Sequence, residues 1–389
     1  MHLSIYPPDP TPGKRLPQPD GLTRFREALD AVPSGGTAQV WVRLPIQLGD
    51  MVMALPSMFI IKAIWERLAR DRGVRLEFAL TGRASVSMFK EAVPDVFAAC
   101  LPDTEFPASS SPIKLLRHWK ERAPLAVINY SKSDRIKVAA WLAGVPVRAG
   151  IADGSNNWCY HFSHPFMSYT QVGHRHFRYL PLTQWLAGPQ ASAPLPTLGG
   201  PGFGGTSVLS LLRDQGWDGG PYVVFGVYPL PQFPERRWYP LDEPWVRLAA
   251  LARKAGVTPV LAGGPENRAR LEHLGVQSGS VCLAGRTSLA ELLALVANAM
   301  GTVTVDTGIA HMAALTGQPT VVIFSHGQEF WDFPCGPKVI SLRGDPTGES
   351  VFPFPPGSMD RVTRPWAAVT SSIPPSRAWS VLNLLAAEG

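Results

Sequence analysis

Five short segments of this 389-residue chain put chemically active side chains where a strand gives way to a helix. The first is LPIQLGDMVMALP, residues 44–56, with Asp50 directly after Gly49. A carboxylate at such a turn can take the proton from an attacking hydroxyl. The same position suits an ordinary helix N-cap, for which Asp is a preferred residue. The second is FGVYPLPQFPERRWYPLDEPW, residues 225–245, in which Arg236 and Arg237 stand beside Trp238 just before a helix. Two guanidiniums near a helix N-terminus suit a pyrophosphate. A solvated arginine pair beside a packed tryptophan is the alternative.

The third segment is TVDTGIAHMAAL, residues 304–315. Asp306, Thr307 and Gly308 end a strand, and His311 follows on the first turn of the next helix. Backbone N–H groups, a hydroxyl and the helix dipole converge there, which suits phosphate oxygens. The spacing allows Asp306 to hydrogen-bond the His311 imidazole and raise its pKa; a capping Asp and a core His would read the same. AGGPEN, residues 262–267, ends another strand with paired glycines and offers Glu266 as a ribose contact. AGRTSLAEL, residues 284–292, offers Gly285, Thr287 and Leu289 as edges for a nucleobase. Its Ser288 and Glu291 also spell an ordinary capping box.

Cys159, His161, His164, His174 and His176 fall within 18 residues. Zinc sites show tighter paired spacing, and the chain has no HExxH, no CxxC and no Asp-x-Asp at a strand end. A surface or anion-facing histidine group is the plainer reading. No metal ligand is assigned, and no cofactor is expected.

These segments need strands to end and helices to begin on a regular schedule. Strands are expected at Ala38–Leu44, Arg75–Leu80, Val96–Leu101 and Leu125–Asn129. Helices are expected from Gly49 to about Arg70 and near Ala84–Ala92, Ser111–Arg122 and Lys132–Leu142. Such alternation implies a parallel sheet covered on both faces. The run GPQASAPLPTLGGPGFGG, residues 188–205, is the best linker in the chain. Alternation then restarts, with strands at Tyr222–Phe225, Thr258–Leu261, Val281–Leu283, Thr302–Val305 and Thr320–Phe324. Helices are expected at Glu243–Ala255, Pro265–Leu274, Ser288–Ala299 and Ile309–Thr316, with an amphipathic helix at Ser376–Ala387. The expected organisation is a Pro-rich lead-in (1–36, holding a short helix at Leu22–Ala31), a first domain (37–190), a second domain (206–350) and a Pro-rich tail (351–389). Two doubly wound halves would place ligands at the carboxyl ends of their strands. A single glycine in RLPIQLGDMVMALP argues against an NAD or FAD fingerprint.

Bulk properties narrow the setting. Hydrophobic residues make up 45% and charged residues 17%, so the chain is globular. The net charge of +6, with no long Lys/Arg block, fits an anionic substrate or membrane surface and is too diffuse to argue for nucleic acid. Cys100, Cys159, Cys282 and Cys335 lie far apart, as in a reduced intracellular protein. Six prolines precede Gly21, and no apolar h-region of a signal peptide is present there. No apolar run reaches the roughly 20 residues that span a bilayer, so membrane contact is expected to be peripheral.

Together these segments resemble the family 9 glycosyltransferases, the ADP-heptose–lipopolysaccharide heptosyltransferases, and most of all the heptosyltransferase II type. LGDMVMALPSM, RRWYPLDEPW, VLAGGPEN, LAGRTSLAEL, VDTGIAHMAALTGQPTVVIF and INYSKSDRIKVAAWLAGVPVRAGI carry the resemblance, from about Ala38 to Gly344. The family usually has Lys where this chain has Arg236. The resemblance implies a GT-B fold, with two Rossmann-like domains facing a central cleft. It implies that the first domain binds the acceptor and the second the ADP-sugar. It also implies Asp50 as catalytic base, Asp306, Thr307, Gly308 and His311 as donor contacts, and a nucleotide sugar and an anionic glycolipid acceptor as partners. A cytoplasmic, metal-independent enzyme, peripheral on the inner membrane, is the expectation. Another transferase or an epimerase on the same fold, or a non-catalytic ADP-sugar binding module, are the other classes open.

Overall fold

In a computed structural model of the chain, the structure describes residues 20–106, 111–152, 157–164, 178–193, 197–199, 202–229, 242–324, 333–334, 336–343 and 373–387. The chain divides into two compact units, Met1–Pro196 and Thr197–Gly389. The division falls inside the 188–205 stretch.

The first unit is a six-stranded parallel sheet in the order β3-β2-β1-β4-β5-β6. Its strands are β1 (Thr37–Arg43), β2 (Arg75–Gly82), β3 (Ala99–Pro102), β4 (Ala126–Asn129), β5 (Val147–Ile151) and β6 (Phe162–His164). The inner strands are near-continuous apolar runs, as befits a sheet covered on both faces. Trp41, Ala79 and Val127 project into a core closed by α4 (Pro112–Arg122) and α5 (Asp134–Leu142). α1 (Asp20–Asp30), α2 (Leu48–Asp71) and α6 (Leu180–Ala187) form another packed layer, and α3 spans Met88–Ala92. There Phe25 stacks on Trp65 at 3.9 Å, and the Trp65 indole N–H donates to the Leu186 carbonyl at 2.7 Å.

The second unit repeats the plan with β7 (Tyr222–Gly226), β8 (Thr258–Ala262), β9 (Val281–Cys282), β10 (Gly301–Val305), β11 (Thr320–Phe324) and β12 (Val339–Arg343). Its order is β12-β11-β10-β7-β8-β9, so in chain order both sheets run third-second-first-fourth-fifth-sixth. The helices are α7 (Gly205–Asp214), α8 (Glu243–Lys254), α9 (Arg268–Ser278), α10 (Leu289–Ala297), α11 (Gly308–Thr316) and α12 (Pro375–Ala387). α8, α9 and α12 pack on the core around Phe225, Leu248, Leu271, Val303, Ile323, Trp379 and Leu382. Ala310 of α11 packs with Val322 and Phe324.

Several expectations are corrected. The helix in the lead-in belongs to the first unit's core, where Phe25 and Leu29 are fully buried. The tail's helix likewise buries Ala378 and Leu382 in the second unit. Strands β5, β6 and β12 and helices α6 and α7 were not expected. β5 reads VRAGI, and its Gly150 is required because a Cβ there would meet the Asn129 carbonyl at 2.6 Å. β3 starts at Ala99 rather than Val96, and residues 84–92 divide into a 3₁₀ turn and the short α3. The bilayer expectation has one exception: α2, at 24 residues, is long and apolar enough by length and composition. Two-thirds (67%) of its most apolar window is buried within the protein, which makes it a core helix.

Candidate functional site

In each sheet the strand order reverses once, between β1 and β4 and between β7 and β10. Loops leaving neighbouring strands part there, so the carboxyl ends of these strands are where doubly wound sheets bind ligands.

In the first unit, β1 leads into α2 through residues 44–47. Gln47 is the N-cap, in extended backbone. Asp50 is the third residue of the helix, half-buried in its first turn, so the simple N-cap alternative does not hold. A carboxylate there is favoured by the helix dipole. Opposite, β4 ends in Asn129, whose Oδ1 accepts from Ser131 N (2.9 Å) and Ser131 Oγ (2.7 Å) and whose Nδ2 donates to Tyr160 Oη (2.7 Å). The Tyr130 hydroxyl lies 2.8 Å from Ser57 Oγ on α2, which in turn lies 2.5 Å from Thr183 Oγ1 on α6. Burial holds the Tyr130 phenol far above its ordinary pKa, with Ser57 opposing in part. A neutral tyrosine of this kind positions α2 rather than accepting protons. Two other carboxylates on this edge sit in ion pairs: Asp103 holds Arg43 in a two-pronged contact (Nη2–Oδ2 2.9 Å), and Asp134 holds the buried Lys137 at 2.6 Å.

In the second unit, β10 is followed at once by Asp306, which is buried (4% exposed). Thr307 follows as the N-cap of α11 in extended backbone, and Thr307 and Gly308 are half-buried. The first amides of a helix have no partner within it, so this turn offers N–H groups and the positive end of the dipole. His311 is also buried (3% exposed), on the first turn of α11. Thr304 Oγ1 lies 3.1 Å from the Gly226 carbonyl and 3.2 Å from Thr307 Oγ1, linking the two strands at the reversal. Gly226 cannot be replaced cheaply, because a Cβ there would stand 2.2 Å from Thr304 Oγ1.

The loops after β8 and β9 meet each other on the far side of β7 from this turn. Gly285 adopts a positive φ of 64°, donates its N–H to the Gly263 carbonyl (2.9 Å) and would press a Cβ onto Pro265 Cα at 2.9 Å. Glu266 is exposed on a 3₁₀ turn and folds its carboxylate over Gly264. Asn267 Nδ2 reaches the Pro229 carbonyl at 3.2 Å, joining the loop after β7. Thr287 and Leu289 are half-buried where α10 begins. Ser288 and Glu291 form a complete capping box, and Ser207 Oγ donates to Glu291 at 2.9 Å, so these two serve the helix. The structure thus brings Glu266 and Gly285 together in adjoining loops. Arg236 and Arg237 lie outside the described residues.

Three residues of the second unit were missed in the sequence. The Arg270 guanidinium lies 4.0 Å over the Tyr228 ring and donates to Asp242 at 3.0 Å. Burial first, and then the Asp242 carboxylate, raise the Tyr228 phenol, against the pull of Arg270. Asp242 is the N-cap of α8 but makes no side-chain cap bond, so DEPW reads as a cap while the carboxylate serves Arg270. Nothing in the sequence alone pairs positions 242 and 270.

Of the cysteine–histidine group, Cys159 is buried, and burial pushes its thiol above the ordinary value, with Lys137 and Arg148 opposing. His161 Nδ1 accepts from the Arg148 N–H at 3.3 Å, which ties it to β5. His174 and His176 lie outside the described residues, and among the described residues no group of three or more His, Cys, Asp or Glu could hold a metal ion.

The family model described as glycosyltransferase family 9 (heptosyltransferase) matches residues 213–349. No curated protein matches the sequence. Among solved structures, the ADP-heptose LPS heptosyltransferase II of E. coli is similar, with TM-score 0.69 and 18% identity over 90% of this chain and 99% of that one. A glycosyl transferase family 9 protein of Veillonella parvula DSM 2008 gives TM-score 0.70 and 16% identity over 90% and 98%. E. coli heptosyltransferase WaaC with ADP gives 0.56 and 16% over 89% and 99%. At these identities the likeness is one of fold, the GT-B fold of two doubly wound α/β units.

Proposed function

We propose, from the premise that this chain is a glycosyltransferase whose residues 213–349 form a family 9 domain, that it transfers heptose from ADP-heptose to the core of a lipopolysaccharide-type acceptor. The observation that carries the reading is the turn from Asp306 to Gly308, where a helix N-terminus opens at the strand reversal of the family 9 domain. That turn suits a diphosphate, which needs N–H donors and positive potential. The loops holding Gly285 and Glu266 lie along the same strand ends beyond β7, the direction in which a nucleoside would extend from the phosphates. Arg236 and Arg237, in the loop after β7, are assigned to the diphosphate by their chemistry.

The proposed reaction is inverting. Asp50 accepts the proton of an acceptor hydroxyl as that oxygen bonds to the anomeric carbon. The bond from that carbon to the diphosphate breaks, and its electron pair leaves with ADP. Negative charge grows on the leaving oxygen, where the amides of α11 and the two arginines stabilise it. No metal is required by this scheme, and none is assigned. The acceptor is held by the first unit in a cytoplasmic setting.

The test is a melting series with ADP, UDP and GDP, each with and without EDTA, followed by product analysis with ADP-heptose. ADP at about 100 times its Kd adds roughly 2.7 kcal/mol of stability. A preference for UDP defeats the donor assignment and leaves the fold standing. An ADP shift that vanishes with EDTA defeats the metal-free scheme.

A further inference from the structure

We infer that the outer face of α4 and α5 in the first unit docks this protein on a bilayer rich in anionic phospholipid. Residues 112–142 carry seven basic and two acidic residues, a net +5 of the chain's +6. The basic excess that looks diffuse in the sequence is gathered by folding onto two adjacent helices and the turn that leads into the second. Lys114, Arg117, Lys120, Arg122, Lys132 and Arg135 are exposed, whereas Lys137 is buried against Asp134 and removes that negative charge from the balance.

Apolar groups are also exposed on and beside these helices. Trp141 and Trp158 meet edge to face at 4.7 Å, yet remain 40% and 62% exposed. Leu142 is 48% and Ile113 70% exposed. In α5, residues 135, 138, 141 and 142 share one face, so Arg135 and the apolar pair point the same way. In α4, Ile113, Leu116, Arg117, Lys120 and Glu121 line a shallow groove of about 400 Å³, with two cations to one carboxylate. Exposed tryptophans on a helix pair that also carries exposed Lys and Arg fit the headgroup layer, where indoles settle and anionic lipids attract the cations. A soluble anion would satisfy the cations and leave the indoles wet.

The geometry also gives the docking a use. α5 begins at Asp134, five residues past the end of β4, on the edge of the sheet where α2 and Asp50 start. Its nine residues span about 13 Å, so the face reaches from that edge to the Trp pair. Choosing a membrane rather than another polyanion rests on the glycolipid-acceptor reading; the binding itself does not.

The experiment is co-sedimentation of the full chain with vesicles of phosphatidylcholine alone or with one-third phosphatidylglycerol. Wild type should partition at least tenfold more onto the anionic vesicles, and salt should weaken this. Arg117→Glu and Lys120→Glu should each lower partitioning by roughly fivefold or more. Trp141→Ala with Trp158→Ala should lower it on the order of tenfold, through lost apolar burial. Arg247→Glu, an equal charge change in the second unit, should leave it unchanged. The ADP-induced melting shift, read on every variant, confirms folding. Vesicle binding that is absent, or indifferent to these substitutions, overturns the proposal while an intact ADP shift keeps the enzyme reading. Equal binding to single-stranded RNA, or a dimer lost with the Trp substitutions, overturns it in favour of those partners. Patch-dependent vesicle binding without ADP-heptose turnover sustains the docking and sinks the enzyme reading.

Discussion

The two units share one strand order but finish its reversal point in different ways. In the first, side chains hold the loops: Asn129, Tyr130 and Ser57 tie the end of β4 to its neighbours. In the second, glycines bring the backbone close: Gly226 against Thr304, and Gly285 against Pro265. Side-chain struts can hold the proposed base Asp50 in place, whereas bare backbone lets N–H groups approach a ligand. One scaffold, used twice, thus suits proton transfer in one copy and anion binding in the other.

The sharpest way to break that contrast is Asp50→Asn. It keeps shape and removes basicity, so turnover should fall on the order of 10²–10⁴-fold while the ADP melting shift persists. Near wild-type turnover would return Asp50 to a helix-dipole role. Next is Gly226→Ala, which forces a methyl onto the Thr304 hydroxyl held at the Gly226 carbonyl. It should cost about 1–3 kcal/mol in a denaturant melt and blunt the ADP response. A neutral effect would mean that the reversal in the second unit is not tightly packed.

Asp306→Ala and His311→Ala test whether those buried groups act as one. Each should weaken ADP binding, and the double variant should lose less than the sum, by about 0.5–3 kcal/mol. Clean additivity in calorimetry would separate them. The smallest effect is expected at α10. Ser288→Ala should cost about 1 kcal/mol of stability. The bond from the Ser288 backbone, chiefly, holds Glu291 below its ordinary 4.5. A lowered folded pKa means that the contribution is present above pH 4.5 and fades as pH falls through the folded value. Glu291→Gln should therefore flatten the acid limb of the melting profile slightly, and an unchanged limb would remove the capping box from the account.

Legibility in the sequence followed unbroken apolar runs more than burial: the buried β5 was missed because Arg148 and Gly150 interrupt it. Tyr222–Phe225, Thr302–Val305 and Thr320–Phe324 were visible because central parallel strands are unbroken apolar runs. β6 and β12 were not, because edge strands of three and five residues carry His, Ser and Arg that read as loop. Asp306 to Gly308 was legible as a strand–helix junction, since Gly and Asp mark it. The Arg270–Asp242–Tyr228 group was invisible, because its members meet only through the folded chain. The same holds for the charge on α4 and α5, whose summed effect depends on both helices sharing a side of the sheet.

The docking of α12 has a consequence for how the chain is made. The first unit has its last covering helix, α6, once Ala187 has been synthesised, and can close then. The second unit keeps its sheet partly bare until Trp379 and Leu382 arrive, since Leu382 packs against Gly301 at the start of β10. At ~5–20 residues per second, roughly 10–40 seconds separate these two moments. For that interval the ribosome holds a finished first unit beside an unfinished second one. Translation pauses or chaperone contacts after β10 should therefore govern the yield of the second unit far more than that of the first.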